Sequence, residues 1–594
     1  MDDKVQSVGA GHNSVRVEDP KGPLATKASF GSDVVAETLR DLDIPYIALN
    51  PGASYRGLHD SIVNFLGNKK PEMLLCLHEE HAVHIAQGWG KVTDKAMACA
   101  VHSNVGLMHA SMAIFNAWCD RKPIVIMGAT GHVDAARRRP WIEWIHTSRD
   151  QGALVRPYVK WDDQPASPEA AREAVVRAHW IAETVPQGPV YVNLDVGLQE
   201  DPLVRDLPPM DVKRFGPPVE VAPGEAQVAD LKRMIEGAKK PVILYGRCSR
   251  SKTAWDERVA LAERLGAPVV TDLKISASFP TDHALHAGAA HMQIEKHLCA
   301  IMAEADLILS FDLTDLGGFL AAAGDKAPGA KIVQVSLDHR VHNGWSMDHQ
   351  MLPPVDIFVS ADVDLTVRAL VKALGAGKTD SNKAAWPKEV RPKTELALRG
   401  AGEQPLVRDL ALALRKSLGK RELSLVHTTI AWHETWWPVE HPLAYFGGAG
   451  GGGLGAGPAI AVGCALALRG TGRFPVAVLG DGDFLMGATV IWTAVHYRIP
   501  LMVVVSNNAS FYNDELHQER VAHTRTRPPE NKWIGQKMID PELDLAMIAR
   551  GQGATGIGPV STIGDLEKAY ADAIAIVEGG GVAVVDVRVV PGYA

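Results

Sequence analysis

Residues 475–508 read PVAVLGDGDFLMGATVIWTAVHYRIPLMVVVSNN, and the fold follows from how this stretch alternates. PVAVLG (475–480) is an apolar run of strand length that ends at Asp481 and Gly482. After it, Phe484, Ala488, Ile491, Trp492 and Val495 fall on one face at the roughly 3.6-residue period of a helix. LMVVVS (501–506) is a second buried strand and ends in Asn507 and Asn508. The unit is a βαβ crossover, which brings Gly480-Asp481-Gly482 and Asn507-Asn508 to the carboxyl ends of two strands, where open α/β sheets bind ligands.

The residue types there suit a magnesium diphosphate. Glycine lets the backbone approach phosphate closely, and a helix N-terminus supplies partial positive charge. A carboxylate together with amide and carbonyl oxygens matches the octahedral, hard-oxygen preference of Mg²⁺. Alone, each motif is ordinary strand-exit punctuation. Together they define a site.

The same rhythm of strand-length apolar runs and amphipathic stretches extends in both directions. It breaks at residues 200–225, dense in proline and charge, and at 374–392, polar and aperiodic, and both read as linkers. The expected organisation is a loose tail (1–27), a first domain (28–199), a linker (200–225), a central domain (226–373), a linker (374–392) and a third domain (393–594). The central strands are PVILYGR (241–247), APVVTDL (267–273), DLILSFDL (306–313) and KIVQVSLD (331–338). The fold class is α/β, with three doubly wound parallel-sheet domains.

Composition agrees with a globular enzyme and excludes several classes. The chain has 594 residues, 46% hydrophobic and 22% charged, so it is neither a small scaffold nor a disordered chain. With 61 basic and 69 acidic residues the net charge is −8, which offers no global attraction for nucleic acid or an anionic membrane. The six cysteines are scattered without a C-x-x-C pair, as expected in a reducing compartment. The N-terminal residues lack the apolar centre of a secretory signal, and no apolar run approaches the roughly 18 residues of a membrane span. A cytoplasmic location is expected.

In the first domain, LHEEHAVHIAQGWGKVT (77–93) reads as a helix that separates two adjacent glutamates. Glu80 shares its stripe with His84, Gln87 and Lys91, all polar, whereas Glu79 shares its stripe with Val83, Ala86 and Gly90. Glu79 is therefore the glutamate expected to be buried. The run His78-Glu79-Glu80-His81 is not a zinc motif, because Ala82 stands where H-E-x-x-H requires histidine. A zinc hydrolase is a weak alternative on these residues.

The G-D-G motif, with Asn508 standing 27 positions after Asp481, resembles the cofactor motif of thiamine diphosphate (ThDP) enzymes. That resemblance implies Mg²⁺ ligation by Asp481, the Asn508 side chain and a backbone carbonyl near Ser510. It implies cofactor contacts from Gly480, Gly482, Thr428, Thr429 and the run Gly447 to Gly453, with Leu454 propping the cofactor in its bent form. It implies that Glu79 protonates the aminopyrimidine, so that the first domain binds pyrimidine and the third binds diphosphate. Because Glu79 and Asp481 lie 402 positions apart in different domains, the family arrangement implies a homodimer or homotetramer with sites at subunit interfaces.

Asn50-Pro51-Gly52-Ala53, Leu77-His78-Glu79, Val101-His102-Ser103, FNAW (115–118), VKWDDQPAS (159–167) and PQGPVYV (186–192) are similar in order and spacing to the benzoylformate decarboxylase and benzaldehyde lyase branch of the acetolactate synthase-like superfamily. On this match His102 relays protons. Ala53 stands where the decarboxylases carry a substrate-contacting serine and the benzaldehyde lyases an alanine, which leaves simple 2-oxo acid decarboxylation open to question. Ala53, Ser54, Tyr512, His517 and Glu519 are the candidate substrate-pocket residues, the last three on a segment (509–533) read as a loop over the site. A second catalytic histidine, expected from the central domain, has no counterpart in FDLTDLGGFL (311–320). Asp338 is placed where relatives bind the adenosine ribose of FAD or ADP, and Arg137, Arg138 and Arg139 are placed to hold coenzyme A phosphates.

The resulting expectation is a ThDP- and Mg²⁺-dependent carbon–carbon lyase or carboligase acting beside a carbonyl, by 2-oxo acid decarboxylation, acyloin cleavage or aldehyde ligation. The alternatives are a 2-hydroxyacyl-CoA lyase, an acetolactate synthase, and a non-catalytic nucleotide-binding paralogue, against which the retained Glu79 argues.

Overall fold

Three parallel sheets, each covered by helices on both faces, carry the chain; the computed structural model describes residues 18–592 apart from 292–293, 325–328, 339–352, 376–385, 388 and 393–395. The first contains β1 (Tyr46–Leu49), β2 (Glu72–Leu75), β3 (Met97–Ala100), β4 (Ile124–Thr130), β5 (Asp162–Asp163) and β6 (Pro189–Asp195), in the order β2-β1-β3-β4-β6-β5. The second contains β7 (Pro241–Tyr245), β8 (Val269–Asp272), β9 (His286–Ala290), β10 (Leu307–Phe311), β11 (Lys331–Val335) and β12 (Ile357–Val359), in the order β12-β11-β10-β7-β8-β9. The third contains β13 (Leu423–His427), β14 (Phe474–Gly480), β15 (Leu501–Asn507), β16 (Thr555–Val560) and β17 (Val582–Arg588), in the order β13-β14-β15-β17-β16. Helices on both faces leave the central strands no wet side. That is why β4 and β15 are buried along their whole length and read as unbroken apolar runs.

No strand falls within residues 201–224, and helix Glu225–Gly237 follows. Much of the second expected linker lies outside the described residues. What is described of it is tied down: the Trp386 indole donates to the Pro241 carbonyl, and Arg391 donates to that of Thr281.

The first and third domains meet where helix Glu79–Thr93 crosses helix Ala456–Ala467. The backbones touch there. A Cβ on Gly463 would lie 2.1 Å from the Ile85 carbonyl oxygen, and one on Gly88 would lie 2.3 Å from that of Ile460. Only glycine allows this approach.

The crossing buries the polar stripe as well. His84, Gln87 and Lys91 are buried, and Glu80 is half-buried. Lys91 pairs with Asp120 at 2.7 Å and donates to the carbonyls of Phe446 and Gly448. Gln87 donates to Asp120 at 2.6 Å, and the amide of Asn116 lies 2.9 Å from Nε2 of His84. The stripe faces helix Ser103–Asp120 and the glycine loop of the third domain, so its polarity marks an interface between domains. Glu79 is buried as expected, at 5% exposure.

Asp338 is also reassigned. Its carboxylate takes Arg121 at 2.9 Å and Arg247 at 2.6 Å, and Arg247 in turn holds Asp312. An ion-pair network between the first and central domains occupies the acid for which a nucleotide ribose and a turn cap were both open, FAD or ADP being undecided from sequence. The sequence conceals this because Arg121 lies 217 positions away.

His81, His84, His286 and His427 are buried, and burial holds their rings down, to about 4 for His81 and about 3 for the others. In the unfolded chain such rings titrate near the ordinary value of about 6.5. Between these values the unfolded state binds protons that the folded state refuses, so stability is lost as pH falls. At about pH 5 each ring costs on the order of 2 kcal/mol. Urea midpoints are expected to drop steeply from about pH 6.5 to 4, and a flat profile over that range would contradict neutral burial of these imidazoles.

Candidate active site

β14 ends at Gly480, which precedes helix Asp481–Gly487; a second short helix, Val490–His496, follows. The expected single helix is thus broken near Ala488 and Thr489, while Phe484, Ala488 and Ile491 keep their buried face. Gly482 is required by contact, since a Cβ there would lie 2.6 Å from the Phe511 ring.

Asp481 is buried, and its carboxylate accepts the N–H of Gly482 at 2.8 Å and that of Ser510 at 3.3 Å. Burial pushes its pKa up to about 6, against the opposing pull of these backbone donors. Asp483, accepting from Gly455 and Gly457, is raised to about 6 by burial as well. A buried carboxylate whose partners are neutral amides is matched by a hard cation. The donor set around Asp481 fits Mg²⁺.

The two asparagines separate in the structure. Asn507 is buried and donates to Asp586 at 2.8 Å, tying β15 to β17. Asn508 is partly exposed and its Oδ1 accepts the Ser510 N–H at 3.0 Å, which turns the chain through Ala509 at φ 55°. Asp481, Asn508 and Ser510 are therefore brought together around one backbone turn. Ser510 is buried, and its hydroxyl donates to Glu515.

Around this turn the third domain presents apolar side chains to solvent. Leu454 is 47% exposed, and it precedes Gly455, which packs on Met486. Met486 and Ile430 are exposed too. Thr428 is buried and Thr429 half-buried at the end of β13, where the loop carries His433. His433 reaches Glu295 of the central domain through Nε2 at 3.0 Å and Glu434 through Nδ1 at 3.4 Å. An exposed leucine between glycines suits a bent, partly apolar cofactor.

The segment after Ser510 is helical rather than a loop, over Tyr512–Thr524. Its residues, YNDELHQERVAHT, include good helix formers with acids in the first turn, and only Glu515 is buried, so no apolar stripe announces it. His517 is exposed, Glu519 pairs with Lys532 at 2.7 Å, and Tyr512 is half-buried at the helix start.

The first domain forms a second cluster. His78 caps helix Glu79–Thr93 by accepting the Glu80 N–H on Nδ1. Glu79 lies beside Gly106, where a Cβ would come within 2.9 Å of its Oε1 and 3.2 Å of the His102 Cβ. His102 stands before helix Ser103–Asp120, with Nδ1 2.9 Å from the Ser54 hydroxyl. Ser54 also accepts the Ser103 N–H, so one hydroxyl engages both the helix start and Nδ1 of the ring, which leaves Nε2 as the other ring nitrogen. Burial lowers the His102 pKa, His146 lowers it further, and Glu79 pulls the other way. Ser54 is buried behind His102 and serves as its support, whereas Ala53 is exposed at the surface.

Glu79 Oε2 also meets Nδ1 of His109 at 3.1 Å, a partner the sequence reading missed. His109 stands seven residues after His102, on the same face two turns on, but its contact is with another helix and has no signature along the chain. Arg137 pairs with Asp201, Arg139 with Glu143, and Arg138 donates to the His132 and Val133 carbonyls. These arginines are spent within the first domain.

Three family profiles match the chain: the N-terminal TPP binding domain of thiamine pyrophosphate enzymes over residues 30–154, the central domain over 228–370 and the C-terminal TPP binding domain over 427–587. The chain belongs to the thiamine pyrophosphate enzymes, and is thus a ThDP-dependent enzyme of the carbon–carbon lyase kind. It is 27% identical over 507 residues to a benzoylformate decarboxylase of Pseudomonas aeruginosa, covering 84% of this chain and 89% of the relative. It is 24% identical over 564 residues to the acetolactate synthase large subunit of Haemophilus influenzae, covering 93% of each. Its fold is shared with a ThDP-dependent 4-hydroxybenzoylformate decarboxylase of Rhodococcus jostii, with a TM-score of 0.77, 23% identity, and coverage of 95% of this chain and 100% of that one.

The two asparagines are expected to separate under mutation. Asn507→Ala takes the side-chain donor from the buried Asp586 carboxylate, leaving it the Leu545 backbone and the nearby Arg588, and should cost about 2 kcal/mol of stability, whereas Asn508→Ala should cost less than half as much. Equal losses in chemical denaturation would show that the pair is not divided as described.

Proposed function

We propose that Asp481, the Asn508 side chain and the Ser510 carbonyl hold Mg²⁺, with Gly480, Gly482, Thr428 and Thr429 receiving the diphosphate and Leu454 supporting the bent cofactor. When bound, ThDP supplies an electron sink for carbanion chemistry next to a carbonyl. Glu79 exchanges a proton with the aminopyrimidine, and its burial on the first turn of a helix keeps competing water away. His102, neutral and held by Ser54, offers Nε2 to substrate oxygen or carbon and moves protons there. The observation that carries the reading is the pairing of two buried carboxylates in different domains, Asp481 on a magnesium-type turn and Glu79 beside an oriented imidazole.

The reaction is a C–C cleavage or ligation on a small 2-oxo acid, acyloin or aldehyde. Ala53 brings no hydroxyl to the mouth of the site, which favours acyloin or aldehyde chemistry over a carboxylate-clamped decarboxylation. A CoA thioester is the less favoured substrate, because Arg137 and Arg139 are engaged by Asp201 and Glu143. With Asp338 held by Arg121 and Arg247, that carboxylate is not assigned to an FAD or ADP ribose in the central domain. Leu77, Val105 and Met108 near Glu79, and Ile430, Leu454 and Met486 near Asp481, are exposed apolar side chains. That exposure favours covering by a second copy, with interface sites in a homodimer or homotetramer. No described helix is long and apolar enough to cross a membrane, in keeping with a cytoplasmic assignment.

Glu79→Gln is expected to retain ThDP yet slow exchange of the thiazolium C2 proton, followed by NMR, at least about 100-fold. Wild-type exchange would remove Glu79 from its role. Asp481→Ala should weaken Mg²⁺-dependent ThDP binding at least about tenfold by calorimetry, and unchanged affinity would overturn the ligand assignment. A panel of 2-oxo acids, acyloins and 2-hydroxyacyl-CoAs, assayed for CO₂ and aldehyde, identifies the substrate; turnover confined to the CoA thioesters would refute the reading of Arg137 and Arg139.

A further inference from the structure

The carboxylate of Glu79 has two differently placed oxygens. Oε1 lies over Gly106, at the place where a side chain is excluded. Oε2 is taken by Nδ1 of His109, 3.1 Å away. His109 projects from helix Ser103–Asp120 with about half its side chain exposed, and its ring stacks on that of His78, with centroids 5.0 Å apart and planes 18° apart. His78 is engaged elsewhere through its Nδ1, which accepts the Glu80 N–H at the helix cap. The ring of His109 is therefore steered by a stack on one side and by a carboxylate at its edge.

We propose that His109 is a positioning residue for Glu79: it anchors Oε2 through Nδ1–H and leaves Oε1 as the oxygen that serves the cofactor ring. This deepens the functional reading above and rests on Glu79 being the activating acid.

The polar groups around this pair are engaged elsewhere. His78 holds the helix cap through Nδ1, and His102 is turned to Ser54. His109 is the half-exposed imidazole on the carboxylate itself.

Paired variants test this without turnover. His109→Ala removes the contact, and His109→Gln puts an amide donor in its place. With ThDP and Mg²⁺ bound, C2 proton exchange followed by NMR is expected to slow at least about tenfold in His109→Ala, while ThDP affinity by calorimetry stays within about threefold of wild type, and exchange is expected to recover in His109→Gln. Wild-type exchange in His109→Ala, or no recovery in His109→Gln, would overturn the proposal. Normal exchange in Glu79→Gln would strike the functional reading itself, whereas suppressed exchange there beside wild-type exchange in His109→Ala would strike this inference alone.

Discussion

The backbone contact between helices Glu79–Thr93 and Ala456–Ala467, at Gly88 and Gly463, is the constraint on which the arrangement of the site depends. Without a Cβ on either side, the two helices approach until carbonyl meets Cα, and the first domain cannot slide along the third. That approach seals His84, Gln87 and Lys91 from water. A sealed lysine is tolerated only with a partner, and Asp120 at 2.7 Å provides it, with the Phe446 and Gly448 carbonyls taking further bonds. The glycine loop is drawn onto the first domain by the same packing, with Gly451 donating to Asn116. The ends of both sheets are thereby fixed relative to one another before any cofactor arrives.

The two carboxylates on which the chemistry turns are buried in different ways. Asp481 is surrounded by backbone N–H groups from the start of its own helix and from the turn after β15. Its burial is uncompensated by any cationic side chain in those contacts, which is the condition of a site built for a metal ion. Glu79 is instead met by an imidazole that can carry charge or give it up. In the proposed function one carboxylate takes a fixed cation and the other a movable proton. Glu80 and Asp483 approach each other between these two centres, and their mutual repulsion adds to the burial that raises Glu80.

The reading from sequence succeeded where the information was local. The β14–helix–β15 unit, the separation of Glu79 from Glu80, and the clustering of Asp481 with the Asn508 turn each rest on spacings of a few residues or on one crossover. It left undecided what a polar pattern with two physical causes conceals. The stripe of His84, Gln87 and Lys91 looks identical whether it faces water or a polar domain interface. Asp338 after a strand looks identical whether it meets a ribose or Arg121. The helix Tyr512–Thr524 escaped notice because it buries only Glu515, so no apolar periodicity marks it.

By itself the amino-acid sequence determined the three α/β domains, through backbone periodicity, and the cofactor class, through motifs that resemble a known family, and it singled out Glu79, Asp481 and Asn508 as the residues proposed to serve the cofactor. Only the tertiary structure decided that Ser54 contacts His102, that His109 meets Glu79, that Asn507 serves Asp586 while Asn508 turns the chain at Ser510, and that Asp338 closes an ion network. Each of these is a contact between separate elements, most of them tens to hundreds of positions apart, and such contacts exist only after burial and steric fit have brought those elements together.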